Sequence, residues 1–274
     1  MDLSFLGTGG GRFTTISQKL MTGGFRIDGL GGLNYHFDPG PGALIRSYQF
    51  GINPSILDGI FISHAHTDHY TDAEILIEAM TSGMTKNRGI IIGSKSVIDG
   101  YKKWGPCVSK YHKSQSTNLI LGSNKTKELK GFKIKGTKTI HGDPTGVGFQ
   151  IDDGNLKISY TSDTKYFEDL KNHHKKADIL IANVLRPFGK PIHGHMDANE
   201  FLNLVNDIQP KIAIMAHFGF NFIKANPQKI AETIKKETGV DVIASFDGMN
   251  INLDKIAIDS SYNIIQLENN CKNK

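Results

Sequence analysis

Cysteine is nearly absent. The chain of 274 residues has two, Cys107 and Cys271, far apart and in no Cys-x-x-Cys pair. A disulfide scaffold is therefore not expected, and a reducing cytoplasm is the default compartment. No apolar stretch is long enough to span a membrane. The segment after Met1 has no basic start and only a few apolar residues, so no secretory signal peptide is expected either. No Pro/Ser-rich linker, repeat or low-complexity tract interrupts the chain. Excess charge is small: 32 Lys and Arg against 27 Asp and Glu give a net charge of +5. That is a mild bias toward an anionic, phosphate-like substrate. The basic run at 171–176 reads as a solvated face, with His173 and His174 as surface residues. What remains, at 38% hydrophobic and 22% charged, is a globular chain long enough for one large domain.

Histidine is concentrated. Ser63-His64-Ala65-His66-Thr67-Asp68-His69 puts three imidazoles and a carboxylate inside six residues. It follows Gly59-Ile60-Phe61-Ile62, an apolar run that reads as a buried strand. Alternate residues such as His64 and His66 share one side of an extended segment. Asp68 and His69 must turn toward another point, which suggests two metal ions. Imidazole and carboxylate suit zinc and similar divalent ions. Three further residues stand just past predicted strands: His141 after Phe132–Ile140, Asp163 after Leu156–Tyr160, and His217 after Ile212–Ala216. A metal site assembled from strand ends has this signature.

The remaining pattern alternates strands and helices. Ala198–Ile208 carries an apolar stripe of Phe201, Leu204, Val205 and Ile208, and Asp197 with Glu200 forms a capping-box pattern. Asn226-Pro227 opens a second helix, closed by Gly239. The run Gly7–Gly11 lacks both Gly-x-Gly-x-x-Gly spacing and a P-loop lysine. It reads as a tight turn beside the metal site.

With the His-x-His-x-Asp-His motif at His64–His69, followed in order by His141, Asp163 and His217, the sequence resembles the metallo-β-lactamase superfamily. The resemblance runs from Leu3–Gly9 to Phe246–Met249. It implies an α/β fold, a four-layer αββα sandwich with a dinuclear metal site at one edge. By the same resemblance His64, His66 and His141 hold the first ion. Asp68, His69 and His217 hold the second, Asp163 bridges both, and Asp38 orients a ligand imidazole. Two divalent ions activate water and stabilise charge at the centre under attack, with Asp68 part of that machinery. Zn²⁺ is the first expectation and Mn²⁺ the second. The domain is expected at 1–254, with a partly frayed C-terminal extension at 255–274, and a homodimer is expected from the family.

Gly194-His195-Met196-Asp197, then Ala216-His217-Phe218, resembles the tRNA 3′-processing endonucleases (tRNase Z) and related phosphodiesterases. So do Tyr160–Thr164 and Phe246–Met249. The extra His of that group serves the phosphate. Here it is His195, ahead of a helix and suited to protonate a leaving alkoxide; His193 is its rival. The chain departs from tRNase Z in two places. No long tRNA-gripping arm separates His141 from Asp163, where Thr145–Ser159 reads as a short hairpin. Asn183-Val184 also stands near the position of that family's His-Glu. Both point to a small phosphodiester, with cyclic nucleotides among the candidates, as in arm-less enzymes of the anti-Pycsar type. The loop 100–116, with Trp104, Lys110, Tyr111, His112 and Lys113, and the stretch Arg186–Lys190, with Phe188, are candidate substrate contacts. The expectation is thus a cytoplasmic metal-dependent phosphodiesterase with a small-molecule partner and no stable nucleic-acid or membrane partner. The alternatives are a tRNA 3′-processing endoribonuclease, a hydrolase of thioesters, lactones or other carboxylic esters, and a non-catalytic RNA-binding protein.

Overall fold

Hydrophobic runs continuous over four or more residues, rather than alternating, mark strands buried on both faces. One such run lies inside each of the two sheets, with a strand paired on either side. The structure is a computed structural model that describes residues 1–259 and 263–267. Residues 260–262 and 268–274 of the extension expected to be partly frayed, Cys271 among them, lie outside the described residues. The chain divides into two compact units: residues 1–8, 21–121 and 246–274 form one, and 9–20 with 122–245 form the other.

In the first unit, Gly59–Ile62 is buried at all four positions and lies parallel to Leu33–Phe37 and Ile90–Gly93. Around it the sheet runs in the order Ile264–Gln266, Met249–Asn252, Asp2–Phe5, Phe25–Leu30, Leu33–Phe37, Gly59–Ile62, Ile90–Gly93, Thr117–Ile120. The rings of Phe25, Phe37 and Phe61 stack across three strands at 4.8 and 4.6 Å. The helix Ala73–Met80 closes one face with Ala73, Leu76, Ile77 and Met80, the spacing of one helical stripe.

In the second unit, Ile212–Ala216 is buried throughout and lies parallel to Ile179–Arg186 and Asp241–Ala244. Lys157–Tyr160, Val147–Asp152, Phe132–Lys138 and Thr126–Leu129 extend the sheet beyond Ile179–Arg186. The helix Ala198–Ile208 begins on the capping box expected from its sequence. Asp197 accepts from the Glu200 amide at 3.0 Å, and Glu200 accepts from the Asp197 amide at 3.1 Å. Pro227–Thr238 starts at its proline and ends at Gly239, whose positive φ of 73° suits a residue without a Cβ. Phe201, Leu204, Val205, Ile230, Ala231 and Ile234 pack together in this unit's core.

One surface expectation fails. His173 is 6% exposed and His174 fully buried. The short helix Leu170–His174 turns Leu170 and both histidines inward, while its lysine stays at the surface. The ring of His174 is held at Nδ1 by the Ser159 hydroxyl, 2.7 Å away. Burial pushes the His174 pKa down to about 3 and that of His36, also fully buried, down to about 4, from an ordinary 6.5. Both therefore stay neutral in the fold at pH 5, whereas in the unfolded chain each takes up a proton below pH 6.5. The unfolded state binds more protons, so stability falls as pH falls through this window. Each site is expected to cost about 2 kcal/mol between pH 7 and pH 5. Denaturant unfolding of metal-free protein at the two pH values checks this, and His174→Leu should remove its own share of the loss.

Candidate metal centre

Each unit carries one half of the ligand set expected from the sequence, and each half sits at strand ends. In the first unit the strand Gly59–Ile62 gives way to Ser63, and the candidate ligands follow: His64 and His66 on the turn, Asp68 and His69 in the short helix Thr67–Tyr70. Asp38, just past the strand Leu33–Phe37, organises them. Its φ of 50° turns the chain sharply, an uncommon conformation for a non-glycine residue. Its Oδ1 accepts from the Ser63 amide at 2.7 Å, and its Oδ2 accepts from the Ser63 hydroxyl at 2.7 Å and from His69 Nδ1 at 2.9 Å. Because the Ser63 hydroxyl donates to Asp38, it accepts from His64 Nδ1, 2.9 Å away.

These bonds fix the tautomers. The Asp38 carboxylate can only accept, so His69 carries its proton on Nδ1, and His64 does the same through Ser63. Nε2 of each ring is left as a lone pair. The Nε2 of His64 and Nδ1 of His66 face each other at 2.9 Å, as two donor atoms aimed at one point would. The ring of Trp104 meets that of His66 edge-on at 5.0 Å. Asp68 Oδ2 lies 3.7 Å from His69 Nε2.

In the second unit Asp163 is the hub. It follows Lys157–Tyr160 and is reached through Ser162, whose φ is 56°. Its two oxygens face different imidazoles. Oδ2 is 3.6 Å from His141 Nε2 and 3.7 Å from His195 Nδ1, and Oδ1 is 3.3 Å from His217 Nε2. The first two separations are too long for hydrogen bonds. All three suit atoms grouped around an ion. His141 donates from Nδ1 to the Gly194 carbonyl at 2.7 Å, which leaves the lone pair of its Nε2 able to take a metal ion. His217 ends Ile212–Ala216 with a φ of 64°, and Gly10 lies flat on its ring: a Cβ at residue 10 would come within 2.1 Å of it. Within the turn expected at Gly7–Gly11, Gly10 thus supports the imidazole of a candidate ligand. Asp163, His195 and His217 offer ligand atoms all within 4.8 Å of one another. With His and carboxylate as the donor set, a divalent ion such as Zn²⁺ or Mn²⁺ fits.

Asn183 was not among the expected site residues. Its side-chain amide donates to Asp163 Oδ1 at 2.8 Å and to the Tyr160 hydroxyl at 3.1 Å. It is 3% exposed, within a strand otherwise apolar from Ile179 to Leu185. A lone amide in such a run is the signal that could have found it, since buried polar groups need partners. Asp247 was legible only as part of a motif. It accepts from the Thr8 amide and hydroxyl at 2.8 and 2.7 Å and from the Met21 amide at 2.9 Å, bracketing the segment 9–20 from both ends.

The expected substrate contacts separate. Trp104 lies against His66, as described. Tyr111 is 62% exposed on a short helix tied down by His112, which lies 3.2 Å from Glu74 and 3.1 Å from Glu78. Arg186 lines a cleft that His193 and His195 also line. Phe188 lies elsewhere, beside Ile230 and Lys229.

A family model described as a β-lactamase superfamily domain matches residues 33–218. The uncharacterized protein MJ1374 of Methanocaldococcus jannaschii is 43% identical over 92% of this chain and 95% of its own. YhfI of Bacillus subtilis, a probable metallo-hydrolase, is 26% identical over 70% of this chain and 79% of its own. The crystal structure of that metallo-β-lactamase fold protein aligns with a TM-score of 0.75 at 22% identity, covering 91% of this chain and 98% of that one. Human tRNase Z, short form, aligns with a TM-score of 0.67 at 18% identity, covering 92% and 99%. The α/β fold class expected from the sequence is the one these structures share. Among the described residues no helix is long and apolar enough to cross a membrane.

Proposed function

The chain belongs to the β-lactamase superfamily and is a metal-dependent hydrolase, and from that premise we propose that it is a dinuclear phosphodiesterase acting on small phosphodiesters, cyclic mononucleotides among them. The motif order assigns His64, His66 and His141 to one ion and Asp68, His69 and His217 to the other, with Asp163 shared. When bound, such ions activate water and neutralise charge on phosphoryl oxygens. The protein's own groups do the rest. Asp38 and the Gly194 carbonyl hold ligand imidazoles in one tautomer. Asn183 holds one oxygen of Asp163 in place, so the carboxylate keeps the orientation in which its two oxygens face different imidazoles.

His195 is the observation that carries the phosphodiester reading. It stands beside the shared carboxylate, 3.7 Å from Asp163 Oδ2, and it also lines an open cleft. A group so placed can hand a proton to an alkoxide leaving from phosphorus toward the cleft. A thioester releases a thiolate, which departs with little help from a proton, so acyl chemistry of that kind has less need of it and ranks second.

Transfer-RNA processing ranks lower. The residues between His141 and Asp163 hold one antiparallel hairpin, Val147–Asp152 with Lys157–Tyr160, and no arm. Binding to tRNA is expected to be weak, to arise from the +5 net charge and to fade as salt rises. Turnover of small diesters depends on the metals and local contacts, and should survive moderate salt. Assays with cyclic mononucleotides and with a precursor tRNA in physiological salt test this. Site-specific cleavage of the precursor at its 3′ end would refute the reading.

A further inference from the structure

The second unit holds a cleft of about 460 Å³, within the roughly 300–1,000 Å³ typical of small-molecule sites. Its walls are the segment 10–14, the end of the strand Ile179–Arg186, the loop 192–195 and the segment 219–221. The loop at Gly10 is fastened to the chain just past His217 by its amide, which donates to the Phe218 carbonyl at 3.2 Å. The cleft is therefore continuous with two of the three imidazoles around Asp163, through Gly10 on the ring of His217 and through His195 itself.

The lining has a definite chemistry. Arg12, Arg186 and His193 supply positive charge or hydrogen-bond donors, and no carboxylate is among the described residues that line it. Phe13 and Phe220 supply aromatic rings. Phe13 is 74% exposed, so its ring is open to a ligand in the cleft. Aromatic faces beside guanidinium groups suit a heterocyclic base joined to a phosphate.

We infer that this cleft receives the leaving group of the diester, and that this group is a nucleotide: a base against Phe13 and Phe220, with a second phosphate met by Arg12 and Arg186. The substrate class is then the short linear dinucleotide with a terminal phosphate, such as pApA. In its hydrolysis water adds at the diester phosphorus and the bond from phosphorus to the 3′ oxygen breaks. That oxygen takes the proton His195 supplies, the proton lost by water restores the balance, and two molecules of 5′-AMP result. The inference rests on the phosphodiesterase reading and adds to it which side of the phosphate is recognised and by what.

Steady-state kinetics with pApA, with ApA, which lacks the terminal phosphate, and with bis(p-nitrophenyl) phosphate test it. The wild type should prefer pApA to ApA by about 10- to 100-fold in kcat/KM, the scale of charge-assisted hydrogen bonds. Arg12→Ala and Arg186→Ala should each shrink that ratio, chiefly through KM for pApA. Phe13→Ala should weaken both dinucleotides relative to bis(p-nitrophenyl) phosphate. Equal kcat/KM for pApA and ApA in the wild type would overturn the inference, as would arginine variants that lower both alike. If bis(p-nitrophenyl) phosphate, both dinucleotides and cyclic mononucleotides all resist hydrolysis, the phosphodiesterase reading fails instead. Calorimetry then decides on the cleft alone: 5′-AMP binding tighter than adenosine, and lost in Arg186→Ala, upholds it, and no such difference overturns it.

Discussion

Asp163→Ala is expected to lose bound metal and turnover together. Asp163 has two oxygens facing different imidazoles, His141 and His195 through Oδ2 and His217 through Oδ1. Removing it takes a proposed ligand from both ions at once. It also leaves Asn183, buried to 3% exposure, without its acceptor at 2.8 Å. Metal-ion catalysis contributes several kcal/mol, and each 1.4 kcal/mol is a factor of ten. A loss of at least about 10³-fold in kcat/KM is therefore expected. Elemental analysis of the purified variant should show less than the roughly two ions per chain expected of the wild type. Full occupancy in the variant would remove the shared-ligand assignment.

His195→Ala should behave in the opposite way toward metal and in a graded way toward substrates. Its Nδ1 is close enough to Asp163 to be a ligand atom, so geometry alone allows either role. The proton-donor role has a distinct signature. The variant should keep its metal. It should lose about 10²- to 10⁴-fold in turnover of a diester with a poorly leaving alkoxide, the usual scale of general acid catalysis. With p-nitrophenolate leaving, the loss should be much smaller, because that anion departs without a proton. Equal losses on both substrates would rule out proton donation, and loss of metal would make His195 a ligand.

Much of this centre was legible in the sequence because strand ends were. Gly59–Ile62 and Ile212–Ala216 are unbroken apolar runs with a histidine one or two residues beyond, and strands buried on both faces produce such runs. The helix Ala198–Ile208 announced itself through its cap and its stripe. Asp38 was legible as an orienting partner through its family position, and its bonds to Ser63 and His69 supply the physical reason. The inward turn of His173 and His174 was not legible. A five-residue helix in a lysine-rich run carries too little periodicity to show which face is buried. Nor was the cleft. Its walls come from segments apart in sequence, 10–14, 185–186, 192–195 and 219–221, and no local pattern marks residues that meet only after folding. Arg186 was found because it stood near His195, whereas Phe188, two residues on, turns to another cleft.

The most direct test of the central claim is one panel: a phosphodiester, a thioester and a lactone, each assayed on metal-free protein and after reconstitution with Zn²⁺ or Mn²⁺. The phosphodiester should be hydrolysed only by reconstituted protein, and the thioester and lactone should lag well behind. Metal-dependent hydrolysis of the lactone or thioester, with the phosphodiester left intact, would contradict the account.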